Sequence, residues 1–185
     1  WGVGRVLYGS VAEWICQDRK GWRKFDNFRK LLAESPPNRR FIFIGDTGSS
    51  ERDLEAAERI VEAFPGVLRA VFLHVVSATE RPAPQPADEV RGGVPFLYFR
   101  TYATAASKAA HHGLLGKRAL SRVLAAVESD MDADTLNVRA HSHNERLLRA
   151  EIAAARSAHA RPAWRDVPDL VSDLLMRSQT LPQPP

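Results

Sequence analysis

The sequence predicts an α/β protein in which a parallel sheet is flanked by helices in three layers. Two observations carry this. Phe41-Ile42-Phe43-Ile44 is an unbroken β-type apolar run, the pattern of a parallel strand buried on both faces. Further apolar runs at 67–76 and 95–99 alternate with stretches of helical period, and alternation of β and α implies parallel strands.

The elements follow in order. Residues 2–8 read as a short strand or a linker, and Ser10 can cap a short helix through Trp14 and Ile15. From 22 to 33, Trp22, Phe25, Phe28, Leu31 and Leu32 recur at three-four spacing with Lys and Arg between them, which predicts an amphipathic helix stopped by Pro36 and Pro37. The Phe41 strand ends in Gly45-Asp46-Thr47-Gly48. A helix over 49–64 comes next: Ser49 or Ser50 is its N-cap, Glu51, Asp53 and Glu55 suit its first turn, and Leu54, Ala57, Ile60, Val61 and Phe64 form its apolar face. Pro65-Gly66 breaks it, and 67–76 is the second buried strand. The segment 77–93 carries Pro82, Pro84 and Pro86 and ends in Gly92-Gly93, so it reads as an exposed loop. After the strand at 95–99, Thr101 caps a helix over 102–112, and Gly113 and Gly116 flank the connection to another helix through Val127. Beyond it, 130–134 reads as an acidic turn, 144–158 as an Ala/Arg-rich helix and 181–185 as a Pro-rich tail.

The 185 residues with 44% hydrophobic content bound the chain to one unit with a real core. The single cysteine, Cys16, excludes an internal disulfide and a thiol zinc cluster, which suits a reducing, cytoplasmic setting. No apolar run has the length of a membrane span. A formal net charge of +4 suits phosphate groups or an anionic surface but is too modest to point to nucleic acid. The chain opens at Trp1 with no Met and no signal-peptide pattern, so it reads as a piece of a longer protein.

Asp46 is the most informative residue. The carboxyl ends of parallel strands are where open α/β sheets hold ligands, and flanking glycines let backbone approach a phosphate or metal. Asp46-Thr47-Gly48-Ser49-Ser50 also spells the pentapeptide around an aspartic protease carboxylate, but that chemistry needs a second copy in an all-β setting, and here a helix follows and no second copy occurs. Upstream, Lys24 lies on the helix leading into the Asp46 strand. A compact ammonium neutralises phosphate charge, and Mg²⁺ takes a few hard carboxylate oxygens beside substrate and water.

Four pieces, in order, resemble the haloacid dehalogenase superfamily and, within it, the actin-patch phosphatidate phosphatase catalytic domain of fungal and protist proteins. They are Lys24-Phe25-Asp26-Asn27-Phe28, the run from Phe41 to Gly48, Ala70-Val71-Phe72-Leu73-His74-Val75-Val76, and Phe99-Arg100-Thr101-Tyr102-Ala103-Thr104-Ala105-Ala106 with the helix to Leu115. The resemblance implies a Rossmann-like, haloacid-dehalogenase-like sheet incomplete at its N-terminus, with 1–128 as the C-terminal part of the catalytic domain and 129–185 as a helical extension and tail. It implies Mg²⁺-dependent hydrolysis of a phosphate ester, with phosphatidate at a membrane surface as the substrate to expect. Lys24 would steady the phosphoryl group, Asp46 would act in catalysis and, with Asp53, hold Mg²⁺, and Thr47, Gly48 and Arg100 would line the substrate. Glu51 is the alternative to Asp53.

Departures from the family pattern matter as much. Ser49-Ser50 look inserted after the Gly-Asp turn, and the second strand ends His74-Val75-Val76 where the family commonly has an acid in the middle position. The family's first motif, Asp-x-Asp-x-Thr after a strand, supplies the nucleophile and general acid, and it does not precede Lys24. Asp130-Met131-Asp132-Ala133-Asp134-Thr135 imitates it but follows a helix and reads as a solvated acidic turn. The second motif has only Ser10 as a poor candidate. His111-His112 and His141-Ser142-His143 read as surface histidines, and the basic stretch 146–161 as a solvated face. The rival readings are a catalytically inactive binding or scaffolding module and, less favoured, a nucleotide binder, for which no Gly-x-Gly-x-x-Gly turn exists.

Overall fold

The computed structural model of the chain describes residues 20–48, 52–76, 85–133 and 142–160. The expected strand at 2–8, the caps at Ser10, Ser49 and Ser50, Glu51, the Pro-rich part of the loop, Asp134-Thr135 and the tail lie outside the described residues. The chain divides into two compact units at Gly116/Lys117.

The first unit holds a four-stranded sheet. Helix α1 (Lys20–Ala33) leads into β1 (Phe41–Asp46), α2 (Arg52–Ala63), β2 (Leu68–His74), the short β3 (Glu89–Arg91), β4 (Val94–Phe99) and α3 (Tyr102–His111). Strand order is β1-β2-β4-β3; β1, β2 and β4 run parallel and β3 pairs antiparallel with β4. The architecture is thus an α/β sheet flanked by helices, mixed rather than wholly parallel, and compatible with a Rossmann-like fold.

Pleating sorts the side chains into two cores. On one face Val71, Leu73, Val94, Phe96 and Tyr98 pack beneath Phe28 of α1 and Ala57, Ile60 and Val61 of α2. Phe25 stacks on Phe64 at 5.9 Å and Phe28 meets Phe41 edge-on at 5.3 Å, which fixes α1 over the sheet. The opposite face buries Ala70, Phe72, Leu97 and Phe99 against Ala105, Ala109 and Leu114. Two helices, a sheet and a third helix make three layers.

Two expectations for the sheet need correction. β1 is not buried on both faces: among the described residues it is an edge strand, its burial alternates, and Ile44 is 68% exposed. Its lack of polar residues hides this, because β-alternation is normally read from polar positions. The loop expected over 77–93 contains β3, joined to β4 by Gly92-Gly93 at φ 54° and 76°. Positive φ at both central residues is the type I′ pattern of a two-residue hairpin, and glycine supplies it without Cβ clash.

In the second unit, α4 (Lys117–Asp132) and α5 (Ser142–Ala160) bury Leu120, Leu124, Met131, Leu148, Ile152 and Ala155. Arg149 pairs with Glu145 and Asp132, and Arg156 with Glu128. The acidic turn expected from residue 130 is instead the last turn of α4: Met131 keeps helical spacing from Leu124 and is buried, while Asp130 and Asp132 face water. No helix among the described residues is long and apolar enough to cross a membrane.

Candidate functional site

The parallel strands end together, and their last residues build a rim. Register places Asp46 of β1 beside His74 of β2, and His74 beside Phe99 of β4. Because paired residues share a face, Asp46 and His74 both stand on the α3 side of the sheet.

The turn after β1 is fastened at each residue. Asp46 Oδ1 accepts the Gly48 N–H at 2.8 Å, closing an Asx turn that holds the carboxylate over the strand end. The Thr47 N–H donates to the His74 carbonyl at 2.9 Å, and Thr47 Oγ1 accepts the Val76 N–H at 3.2 Å. Thr47 is therefore spent on joining β1 to β2. Asp46 itself is exposed.

Beneath the turn lies Asp53, in the first turn of α2 and the one buried charged side chain among the described residues. Its Oδ2 accepts the Asp46 N–H at 3.0 Å, and its Oδ1 takes an ion pair from Lys24 Nζ of α1. A carboxylate this buried is held only where its oxygens are engaged, and both are. Gly45 makes room for it, since a Cβ at that position would stand 2.5 Å from Asp53 Oδ2 and 2.6 Å from its Cβ. The Lys24 side chain remains 44% exposed, so its ammonium stays hydrated while it reaches Asp53.

On the other flank, His74 Nε2 donates to the Arg100 carbonyl at 3.0 Å. The imidazole stacks on Phe99 at 5.2 Å and lies near-parallel to Tyr102 at 6.4 Å. Thr101, whose Oγ1 accepts the Thr104 N–H at 3.2 Å, caps α3 at this rim as expected.

Of the residues singled out from sequence, Lys24, Asp46 and Asp53 are brought together, with Thr47 and Gly48 in the same turn. Arg100 sits half-buried at the end of β4 and contributes its carbonyl to His74. Sequence reasoning assigned no role to His74, and it gave Gly45 backbone freedom beside a ligand rather than the space that Asp53 fills. The cue for His74 is its place as the polar residue closing an apolar run, the position Asp46 holds in β1. His111 and His112 are exposed at the end of α3.

For a divalent cation, Asp46 supplies an exposed hard carboxylate at a strand end, a donor Mg²⁺ accepts alongside water and substrate oxygens. Asp53 fits less well as a ligand, because Lys24 and the Asp46 N–H already engage both its oxygens. Among the described residues no group of three or more His, Cys, Asp or Glu side chains is placed to hold a metal.

Compared with protein-family models, curated proteins and solved structures, the chain matches none.

Proposed function

We propose that this chain carries the cation-and-carboxylate corner of a phosphatase-type hydrolase of the haloacid-dehalogenase-like kind, acting on phosphate esters, with phosphatidate hydrolysis to diacylglycerol and phosphate as the specific reaction. The observation that carries the reading is the chain Lys24–Asp53–Asp46. An ammonium and a buried carboxylate fix the backbone of a strand-end turn, and that turn presents an exposed carboxylate. Such an arrangement sets a hard oxygen donor at the ligand-binding end of a parallel sheet and backs its turn, from beneath, with a paired cation and carboxylate.

In this reading Asp46 holds Mg²⁺, which when bound offsets charge on the phosphoryl oxygens. Asp53 acts as the positioning group that fixes the Asp46 backbone and Lys24. Lys24 adds charge next to the turn, and the Thr47 hydroxyl, engaged by Val76, stays structural. Substrate would reach the corner from solvent at a cytoplasmic membrane surface.

Turnover by this mechanism needs a nucleophilic carboxylate on a strand end. The nearest imitation, Asp130-Met131-Asp132, lies on α4 with Met131 buried, so it does not fill that role. We therefore expect the purified chain to bind but not to turn over. This favours, as a second reading for the chain by itself, a catalytically inactive binding or scaffolding module. An upstream reading frame encoding an apolar strand and Asp-x-Asp-x-Thr would separate the two.

The test uses inorganic phosphate and Mg²⁺ as probes, followed by amide shifts of Asp46 to Gly48. Expected are shifts that need both probes and vanish in Asp46→Ala and Lys24→Ala. Shifts absent in the wild-type chain, or unchanged in both variants, would discard the reading. Mg²⁺-dependent hydrolysis of an aryl phosphate, lost in Asp46→Ala, would overturn the expectation of no turnover while keeping the corner.

A further inference from the structure

The two edges of the sheet are built differently. β3 is three residues long, ends in the Gly92-Gly93 turn and carries charge: Arg91 pairs with Glu89 and Glu58. Short, charged strands are how natural sheets close an edge to further pairing. β1 is six residues long and its first four are wholly apolar.

The backbone of β1 shows which groups face outward. The Phe41 N–H donates to Val67 O and the Thr47 N–H to His74 O, each at 2.9 Å, so odd-numbered residues address β2. Since direction alternates along a strand, Ile42 and Ile44 point both N–H and C=O toward the edge that no other strand among the described residues covers. Asp46 faces the same way, and its N–H is taken by Asp53, which ends the open stretch. The side chains of Ile42 and Ile44, 45% and 68% exposed, stand together on the α3 face.

We propose that this edge pairs with the same edge of a second copy, antiparallel about a two-fold axis through Phe43. The sequence Arg40-Phe41-Ile42-Phe43-Ile44-Gly45-Asp46 is self-complementary in that register. Phe43 meets its twin as a non-hydrogen-bonded pair, as its inward-facing N–H and C=O require. Ile42 opposes Ile44 of the second copy as a hydrogen-bonded pair, which uses just the outward groups. Arg40 opposes Asp46, a cross-strand pair of opposite charge at either end of an apolar centre. Arg40 is exposed, as is Asp46. Parallel self-pairing would set Arg40 against Arg40 and Asp46 against Asp46, so charge selects the antiparallel mode. An isologous contact of this kind closes on itself and gives a dimer with one continuous sheet rather than a fibre. It also sets an arginine of the second copy against Asp46, the carboxylate that the proposed function gives to Mg²⁺, so edge pairing and metal binding there are alternatives, and the test below reads pairing with no metal added.

Sedimentation velocity on the full chain from about 1 to 100 µM tests it, a range spanning the affinities expected of small interfaces. Expected is a concentration-dependent dimer whose dissociation constant rises at least ~10-fold in Ile44→Lys, a loss of about 1.4 kcal/mol. Arg40→Glu and Asp46→Arg each weaken the dimer, and the double variant regains most of the loss. Circular dichroism checks that each variant is folded; if Ile44→Lys is not, Ile44→Thr and the charge swap carry the test. A wild-type monomer across the range overturns the proposal, and slow amide exchange at Ile42 and Ile44 in that monomer would assign the edge to other parts of the same chain. A dimer indifferent to these variants, or unrestored by the charge swap, overturns it as well.

Discussion

The carboxylate of Asp53 accepts the backbone N–H of Asp46 at 3.0 Å, so an acid in the first turn of α2 caps the last residue of β1. A helix start and a strand end are thereby locked across a turn whose own side chain, Asp46, is left to solvent. This separates scaffold from site: Asp53 supports and Asp46 presents.

The two acids should therefore differ in what their loss does. Asp53→Ala removes a charge-assisted bond to the Asp46 N–H and the partner of Lys24, and we expect a stability loss of roughly 1–3 kcal/mol, moderated because Lys24 can rehydrate. Asp46→Ala, at an exposed position, should cost under about 1 kcal/mol, the value of one turn hydrogen bond. Urea unfolding of both variants checks this, and equal losses would refute the division.

Gly45 is required by space rather than by backbone conformation. A methyl group there meets the Asp53 carboxylate and Cβ together, neither of which is the far end of a flexible chain. Gly45→Ala should destabilise by about 1–3 kcal/mol, the usual cost of overpacking. It should also shift the amide resonance of Asp46, whose N–H partner is displaced. A variant as stable as wild type with an unmoved Asp46 amide would show that α2 can give way.

Among larger side chains, Phe96 is fully buried at the centre of the sheet, whereas Val90 on β3 is 70% exposed. Phe96→Ala should cost about 3–5 kcal/mol and leave little folded protein, while Val90→Ala should change stability by less than about 0.5 kcal/mol. Thermal unfolding followed by far-UV circular dichroism reads both. Comparable effects would mean that the sheet is ordered differently.

Much of this was legible in the sequence where a pattern had a single physical source. Phe25, Phe28 and Leu32 at helical spacing, and Ile60 with Val61 and Phe64, could serve only as apolar helix faces, and both faces pack on the sheet. Failures came where patterns carried two meanings. Phe41 to Ile44 reads as doubly buried, since nothing polar marks its open face, yet Ile42 and Ile44 are exposed. Glu89-Val90-Arg91 reads as part of a Pro-rich loop, although the Gly92-Gly93 that follows it is a hairpin signal. Acid density at 130–134 outweighed the apolar spacing of Leu120, Leu124 and Met131. At the site, Lys24 and Asp46 drew attention as strand-and-helix neighbours, whereas the bond from Asp53 to the Asp46 N–H depends on how α2 approaches the strand, a tertiary fact with no local signature.

The Asp53 junction also orders events in time. Its bond to Asp46 spans seven residues, while its pairing with Lys24 spans 29. Short loops close at smaller entropic cost, so the β1–α2 corner can assemble before α1 arrives, and Lys24 then latches a corner already made. Folding rates should accordingly fall for Asp53→Ala, while Lys24→Met should chiefly quicken unfolding; the reverse pattern in stopped-flow measurements would place α1 docking first. The same carboxylate is thus an early staple and a late lock.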